Sequence, residues 1–205
     1  MFKLHQSVLL LLLAICVNRS VLAAHPAVSF SASYTSTVVG AGDGGRSMSG
    51  KVWVSQGKIR RETEHEGHVM VLLVDPANHK YLQLVPDQGI YEDVGGKLAD
   101  VKAMLGGPAD LFVDNPHFPC RSQEGLSCTA TGTATVDGRK CDEWLYSDRE
   151  GNEWSECIDQ SLPILIEKKQ PGRIFELTNI RVGHIDPKLF KVPPDLKPAV
   201  LHGQQ

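Results

Sequence analysis

Residues 51–74 read KVWVSQGKIRRETEHEGHVMVLLV and contain two strand-turn-strand units in succession. Val52 and Val54 point to one face of the first segment, because side chains alternate between the two faces of a strand. Residues 55–57 (Ser-Gln-Gly) turn the chain. Residues 66–67 (Glu-Gly) are typical of a two-residue hairpin turn, which needs positive φ angles. The stretch therefore predicts three consecutive antiparallel strands.

The strands on either side of the second turn differ in character. Residues 58–64 are mostly charged and predict a charged strand. Residues 69–74 (VMVLLV) are apolar at every position, which predicts a strand that is covered on both faces.

The same strand pattern extends in both directions along the chain. Upstream, four apolar residues alternate with Ser and Thr and predict a half-buried strand: Val28, Phe30, Ala32 and Tyr34. Downstream, residues 137–138 (Asp-Gly) predict a second clear hairpin, followed by a turn at residues 151–152. Between residues 96 and 107 the apolar spacing becomes helical. The fold class is mainly β with a small α part: about ten antiparallel strands in a curled sheet, with one helical segment covering its concave face.

The first 23 residues are typical of a secretory signal peptide. Lys3 supplies positive charge, Val8 to Val17 form an apolar run, and residues 21–23 (Val-Leu-Ala) suit cleavage after Ala23. We expect residues 1–23 to be this signal and residues 24–205 to be one exported domain. Lipid anchoring at Cys16 is not favoured, because the preceding isoleucine is too bulky for a lipidation site.

Charge argues against a nucleic-acid partner, and hydropathy argues against a transmembrane helix after the signal. Removal of the signal leaves 19 basic against 24 acidic side chains, a net charge of −5 with histidine neutral. Nucleic-acid binding needs clustered Lys and Arg, so we expect no nucleic-acid partner. No later segment reaches the roughly 20 apolar residues of a transmembrane helix.

Four cysteines remain after signal removal, and an even number in an exported chain predicts two disulfides. Four cysteines allow three pairings. We favour Cys120–Cys128, which closes a short loop, and Cys141–Cys157, which lie nearly opposite each other across a turn centred near residue 150.

Candidate chemistry is sparse. His65 and His68 flank the turn at residues 66–67, so their side chains could project from one face and hold copper or zinc. This hairpin is the basis of an alternative hypothesis, a periplasmic metal-binding or stress-related protein. No nucleophile, base and oxyanion site can be assembled from the sequence. We therefore expect a protein with no catalytic residues, no enzymatic activity and no cofactor.

Several segments resemble one known superfamily when they are taken in order. They are Gly57–Glu62 (GKIRRE), Val74–Pro76 (VDP), Lys80-Tyr81, Val85-Pro86, Ile90-Tyr91, Val136–Cys141 (VDGRKC), Leu162–Ile164 (LPI), Leu177–Ile180 (LTNI) and Leu189–Pro193 (LFKVP). Over nearly all of residues 26–198 the chain resembles the LolA/LolB-like superfamily of outer-membrane lipoprotein carriers, and especially a branch of exported, periplasmic proteins related to it.

The resemblance implies a half-open β-barrel with a helical lid. It also implies a periplasmic protein that binds a lipid, a lipoprotein acyl chain or another hydrophobic ligand on the apolar concave surface. The candidate ligand-binding residues are Val28, Phe30, Tyr34, Val52 and Val54 on the sheet and Leu98, Val101 and Leu105 on the lid. The same positions also suit a simple packed core. Neither ligand identity nor oligomeric state follows from the sequence.

Overall fold

The structure is a computed structural model that describes residues 28–39, 47–95, 119 and 125–199. These residues form one twelve-stranded sheet rather than the ten strands expected. The strands are β1 (Phe30–Val38), β2 (Ser47–Ser55), β3 (Lys58–His65), β4 (His68–Asp75), β5 (Lys80–Val85), β6 (Ile90–Asp93), β7 (Ser127–Val136), β8 (Arg139–Ser147), β9 (Glu153–Asp159), β10 (Leu165–Gln170), β11 (Arg173–Val182) and β12 (Lys197–Pro198).

The sheet is curled but not closed. Its spatial order is β12-β6-β5-β4-β3-β2-β1-β11-β10-β9-β8-β7, and the two end strands do not pair with each other. All neighbours are antiparallel except β12 and β6, which run parallel and depart from the expected all-antiparallel pattern. The mainly β, half-open architecture is confirmed. The predicted signal peptide and the predicted helix at residues 96–107 lie outside the described residues.

Three predicted turns have the backbone geometry that the sequence requires. In the turns that join β2 to β3, β3 to β4 and β7 to β8, the two central residues have positive φ: 52° and 75°, 52° and 81°, and 47° and 76°. Each turn ends in glycine, which adopts such angles without steric cost. Three short 3-10 segments, Pro76–Asn78, Pro86–Gln88 and Pro187–Phe190, complete the connections of the described chain.

A contact between distant strands shows how the sheet curls. The backbone N–H of Asn179 in β11 donates to the Asp137 carboxylate at the tip of the β7–β8 hairpin. Strands β9 and β10 lie between β8 and β11 in the sheet, so the hairpin tip reaches across them. The register of β11 against β1 shifts between Ser31 and Ser33, and Asn179 has a positive φ of 53° in this irregular stretch. Such bulges bend a strand and increase its twist.

The larger apolar cluster, here called the inner cluster, occupies the concave side of β1, β2 and β11 and extends to residues of β7 to β10. Its members come from β1, β2, β7 to β11 and the segment before β10: Phe30, Ala32, Tyr34, Val52, Val54, Val136, Cys141, Cys157, Ile164, Ile166, Phe175 and Leu177.

The convex side of β4 to β6 carries a second apolar cluster, here called the outer cluster. It consists of Val71, Leu73, Leu82, Leu84 and Leu196, with Tyr91 and Val192 at its margin. Leu72 faces the opposite side of the sheet and is also buried. The prediction that this strand is covered on both faces is therefore confirmed.

The cover of the outer cluster is the last part of the described chain, residues 183–199, here called the C-terminal strap. Arg60 donates from Nη1 to the carbonyl oxygen of Leu189 at 3.0 Å. The strap then follows the edge of β6, where the N–H of Ala199 donates to the carbonyl of Tyr91 at 2.7 Å. A segment more than a hundred residues away in sequence thus covers the outer face of β4.

Candidate functional site: the concave face of the sheet

The concave face brings together four of the predicted ligand-binding residues. Phe30, Tyr34, Val52 and Val54 are at most 1% exposed and share the inner cluster. Val28 is partly buried and packs against the margin of the cluster. The three predicted lid residues Leu98, Val101 and Leu105 lie outside the described residues.

A glycine permits the closest packing on this face. Gly50 is the register partner of Tyr34 on β2. A Cβ at Gly50 would lie 1.9 Å from the carbonyl oxygen of Glu62 and 2.7 Å from the Tyr34 ring. Only glycine fits where a backbone and an aromatic ring approach so closely, so Gly50 allows the Tyr34 ring to lie across β2 towards β3.

The Tyr34 ring meets two polar residues of β3 there. Its hydroxyl hydrogen-bonds the Thr63 hydroxyl at 2.5 Å. The Arg61 guanidinium lies over the ring, 4.1 Å from its centroid, and 5.8 Å from the centroid of Phe175. An arginine over aromatic faces is held by cation–π attraction, which strengthens as water is excluded. The concave face is therefore apolar with one built-in cationic element.

Burial is the main influence on the pKa of Arg61. Arg61 is 6% exposed, and its burial lowers the pKa of the guanidinium, while the charge and hydrogen bonding of Tyr34 oppose that change. An arginine remains protonated at neutral pH in such a site. A permanent positive charge therefore lies beneath the apolar surface.

The sequence interpretation missed Arg61 and Thr63. Residues 58–64 were predicted to form a charged strand, and the structure shows that Arg61 and Thr63 within it are buried. The signal was the strand period: Ile59 pairs with Val54 and Arg61 pairs with Val52, so both share the inward face of those valines.

The concave face becomes charged towards β8. Successive register partners from β11 to β8 are Phe175, Lys168, Glu156 and Trp144. Lys168 Nζ lies 2.8 Å from the Glu156 carboxylate. This side of the sheet therefore offers an ion pair next to apolar surface.

The histidine hairpin has the predicted register, with His65 directly opposite His68. The His68 side chain is 80% exposed, and its Nδ1 lies 3.1 Å from the Asp87 carboxylate. The described residues contain no group of three or more His, Cys, Asp or Glu side chains that could hold a metal ion. Metal binding by His65 and His68 stays a prediction.

One of the two predicted disulfides is confirmed. Cys141 and Cys157 are bonded, with their Cα atoms 5.4 Å apart. Cys141 pairs with Asp159 and Cys157 with Glu143, so the bond joins diagonal neighbours on β8 and β9. Cys128 is also disulfide-bonded. Its predicted partner Cys120 lies outside the described residues, so that pairing stays a prediction.

Comparison with known proteins shows a likeness of fold. No protein-family model and no curated protein sequence matches the chain. Among solved structures, MucB of Pseudomonas aeruginosa, in the MucA/MucB complex, superimposes with a TM-score of 0.53 at 15% identity. The match covers 85% of this chain and 59% of that chain. The chain therefore has a fold similar to that of MucB. This chain thus spans less than two thirds of the MucB chain that it matches.

A second solved structure has nearly the same extent as the chain. A conserved protein from Thermus thermophilus, described as uncharacterized, matches with a TM-score of 0.52 at 7% identity, over 85% of this chain and 91% of that chain. These identities are low, so both likenesses concern the fold alone. No helix of the described residues is long and apolar enough to cross a membrane.

Proposed function

We propose that this chain is a non-enzymatic, exported protein of the periplasm that binds a lipid or another hydrophobic ligand on the concave face of its half-open barrel. The observation that carries the proposal is the composition of that face. Large apolar side chains from four neighbouring strands, β1, β2, β10 and β11, converge in the inner cluster of a sheet that does not close on itself. Apolar burial supplies affinity with little directional demand, which suits an acyl chain.

Two further observations support the proposal. The Cys141–Cys157 disulfide favours an oxidising compartment, because disulfides persist mainly outside the cytoplasm. Arg61, which lies over the Tyr34 ring, places a positively charged group beside the apolar surface. A lipoprotein acyl chain, which has no acidic group, would lie on the apolar part of this face.

Native mass spectrometry of the full chain, purified gently from the periplasm, tests the proposal. Solvent extraction then identifies any bound molecule. We expect a co-purifying lipid or fatty acid. A protein that carries no ligand and also fails to bind a fluorescent fatty acid would overturn the proposal.

A matched pair of variants on β1 then tests where the ligand binds. Ala32 is buried on the concave face, and Thr35 is exposed on the opposite face of the same strand. Ala32→Leu narrows the concave face and should weaken fluorescent fatty-acid binding about tenfold, because overpacking displaces the ligand or the wall. Thr35→Leu should leave the affinity unchanged. Equal affinities for the two variants would contradict a concave site.

A further inference from the structure

A second concavity lies between the C-terminal strap and the ends of β3, β4 and β5. Its volume is about 520 Å³, within the range of roughly 300–1,000 Å³ that is usual for small-molecule sites. The lining residues come from the two sides of this gap: Lys58, Ile59, Leu73, Val74, Asp75, Asn78, Lys80, Leu82 and Tyr91 from the sheet, and Phe190, Lys191 and Val192 from the strap. Ile59 also packs against the margin of the inner cluster, whereas the lysines, the leucines and the strap residues of this strap cleft lie outside that cluster.

The strap cleft carries an excess of positive charge. Among the described lining residues, three are lysines and Asp75 is the one carboxylate, which leaves two positive charges in excess. Lys58 Nζ lies 2.9 Å from Asp75, and Asn78 donates to the same carboxylate at 2.8 Å. Lys80 and Lys191 form no ion pair with any other described residue. Two ammonium groups at this cleft are thus available to an anion.

The strap cleft also has apolar surface between its polar groups. Leu73 and Leu82 are buried in the outer cluster. Tyr91 and Phe190 are half-buried around them and contribute apolar surface. An aliphatic chain that lies on this surface gains free energy in proportion to the apolar area it buries. A small inorganic anion uses none of this surface.

We propose that the strap cleft binds a single-chain amphipathic anion, a fatty-acid carboxylate. The acyl chain lies between the strap and the outer cluster, and the carboxylate accepts hydrogen bonds from Lys80 and Lys191. Charge complementarity selects the head group, and the apolar surface selects the tail. This site is independent of the ligand proposed for the concave face.

Lysine footprinting on the full chain tests the proposal with dodecanoate as the probe. Acetylation rates of individual lysines are measured by peptide mass spectrometry. At dodecanoate ten times above its dissociation constant, acetylation of Lys80 and Lys191 should slow about tenfold, because only the unoccupied fraction reacts. Lys140, exposed on β8, is the internal control and should react at an unchanged rate. Unchanged rates at Lys80 and Lys191, or equal slowing at Lys140, would overturn the proposal.

Two further probes separate the contributions of head and tail. Acetate has the same head group without the chain, and dodecyltrimethylammonium has the same chain with the opposite charge. Neither should slow acetylation of Lys80 or Lys191 at the concentration at which dodecanoate does. Protection by acetate would identify a simple anion site, and protection by the cation would identify non-specific adsorption. Either result overturns the proposal.

Charge-reversal variants supply the affinity test. In Lys80→Glu/Lys191→Glu, dodecanoate affinity at the strap cleft, followed by acetylation of Lys58, should fall about tenfold because two solvent-exposed ion pairs with the ligand carboxylate are lost. The control Lys140→Glu/Lys188→Glu changes the net charge equally and should leave the affinity unchanged. Equal losses in both would overturn the proposal. The footprint should also persist in Ala32→Leu; a footprint lost in that variant places dodecanoate on the concave face and refutes the strap cleft.

Discussion

The inner and the outer clusters are built from similar side chains, but the sequence patterns of their strands differ. On β1, buried Phe30, Ala32 and Tyr34 alternate with residues of the solvent-facing side, so one cover is enough. On β4, Val71, Leu72 and Leu73 are buried in succession. Because successive side chains point to opposite faces, a run of this kind needs a cover on each face. The outer cover is the C-terminal strap, which packs there through Val192 and Leu196.

This difference indicates which substitutions affect the whole sheet and which affect one segment. The inner cluster joins strands from both halves of the chain: β1 and β2 from the first half, and β7 to β11 from the second. Within the described part of the chain, the outer cluster joins β4, β5 and the strap, with Tyr91 of β6 at its margin. Loss of an inner residue therefore removes contacts on which the curl of the whole sheet depends, and loss of an outer residue releases one segment.

The largest expected effect is on the inner cluster. Phe30 is fully buried there. Phe30→Ala should lower the free energy of unfolding by about 3–5 kcal/mol, the usual cost of removing a buried aromatic ring. Urea denaturation measures the change. The control Thr35→Ala, on the exposed side of β1, should stay within about 0.5 kcal/mol of the parent. Similar losses in the two variants would contradict the inward placement of Phe30.

The disulfide within the inner cluster comes next. Cys141→Ser/Cys157→Ser removes a bond between β8 and β9 and should lower the free energy of unfolding by about 3 kcal/mol. The same urea titration measures it. The parent protein treated with a reductant should lose a similar amount if the reductant leaves the Cys128 disulfide intact. Native peptide mapping that finds Cys141 reduced would contradict the pairing.

A smaller effect is expected in the outer cluster. Leu196→Ala should cost about 2 kcal/mol, at the low end for a buried leucine, because the strap can shift to fill the space. Hydrogen exchange should accelerate at Val71 and Leu73 and stay slow at Phe30. The neighbouring exposed residue supplies the control Asp195→Ala, which should change neither rate. Faster exchange at Phe30 would show that the two clusters unfold together.

The smallest effects are those of acid on one carboxylate from each region. Asp159, 1% exposed, lies beside the inner cluster; burial raises its pKa, but hydrogen bonds from Arg139 and Ser161 outweigh burial and lower it overall. Asp75, at the strap cleft, is 17% exposed; burial raises its pKa too, and hydrogen bonds from Asn78 and Lys58 lower it overall. A pKa lowered by folding stabilises the protein above the unfolded value of about 3.9, and this stability is lost as pH falls through the folded value.

Acid titrations of the two Asn variants compare these carboxylates. Asp159→Asn should flatten the decrease in the free energy of unfolding below about pH 4 more than Asp75→Asn does, because the Asp159 pair is less exposed to solvent screening. Urea denaturation at several pH values gives both slopes. A steeper dependence in Asp159→Asn than in the parent would contradict the lowered pKa of Asp159.

Much of this architecture was predictable because it depends on local rules. Strand alternation predicted the buried residues of β1 and β2, and glycine at a positive φ predicted three hairpin turns. Register counted from the turn near residue 150 predicted the Cys141–Cys157 bond. The double cover of β4 was predictable from its unbroken apolar run. Each of these features depends on residues that are close in sequence or related by a simple period.

The tertiary structure alone determined which residues are in contact across the sheet. No local pattern identifies the C-terminal strap as the cover of β4, because that contact spans more than a hundred residues. The inward position of Arg61 was not identified from the sequence, since it packs against the Tyr34 and Phe175 rings, which come from distant strands. The strap cleft, with its three lysines, likewise exists only once the strap has crossed the sheet. Periodicity determines which face a side chain occupies, and long-range packing determines its neighbours there.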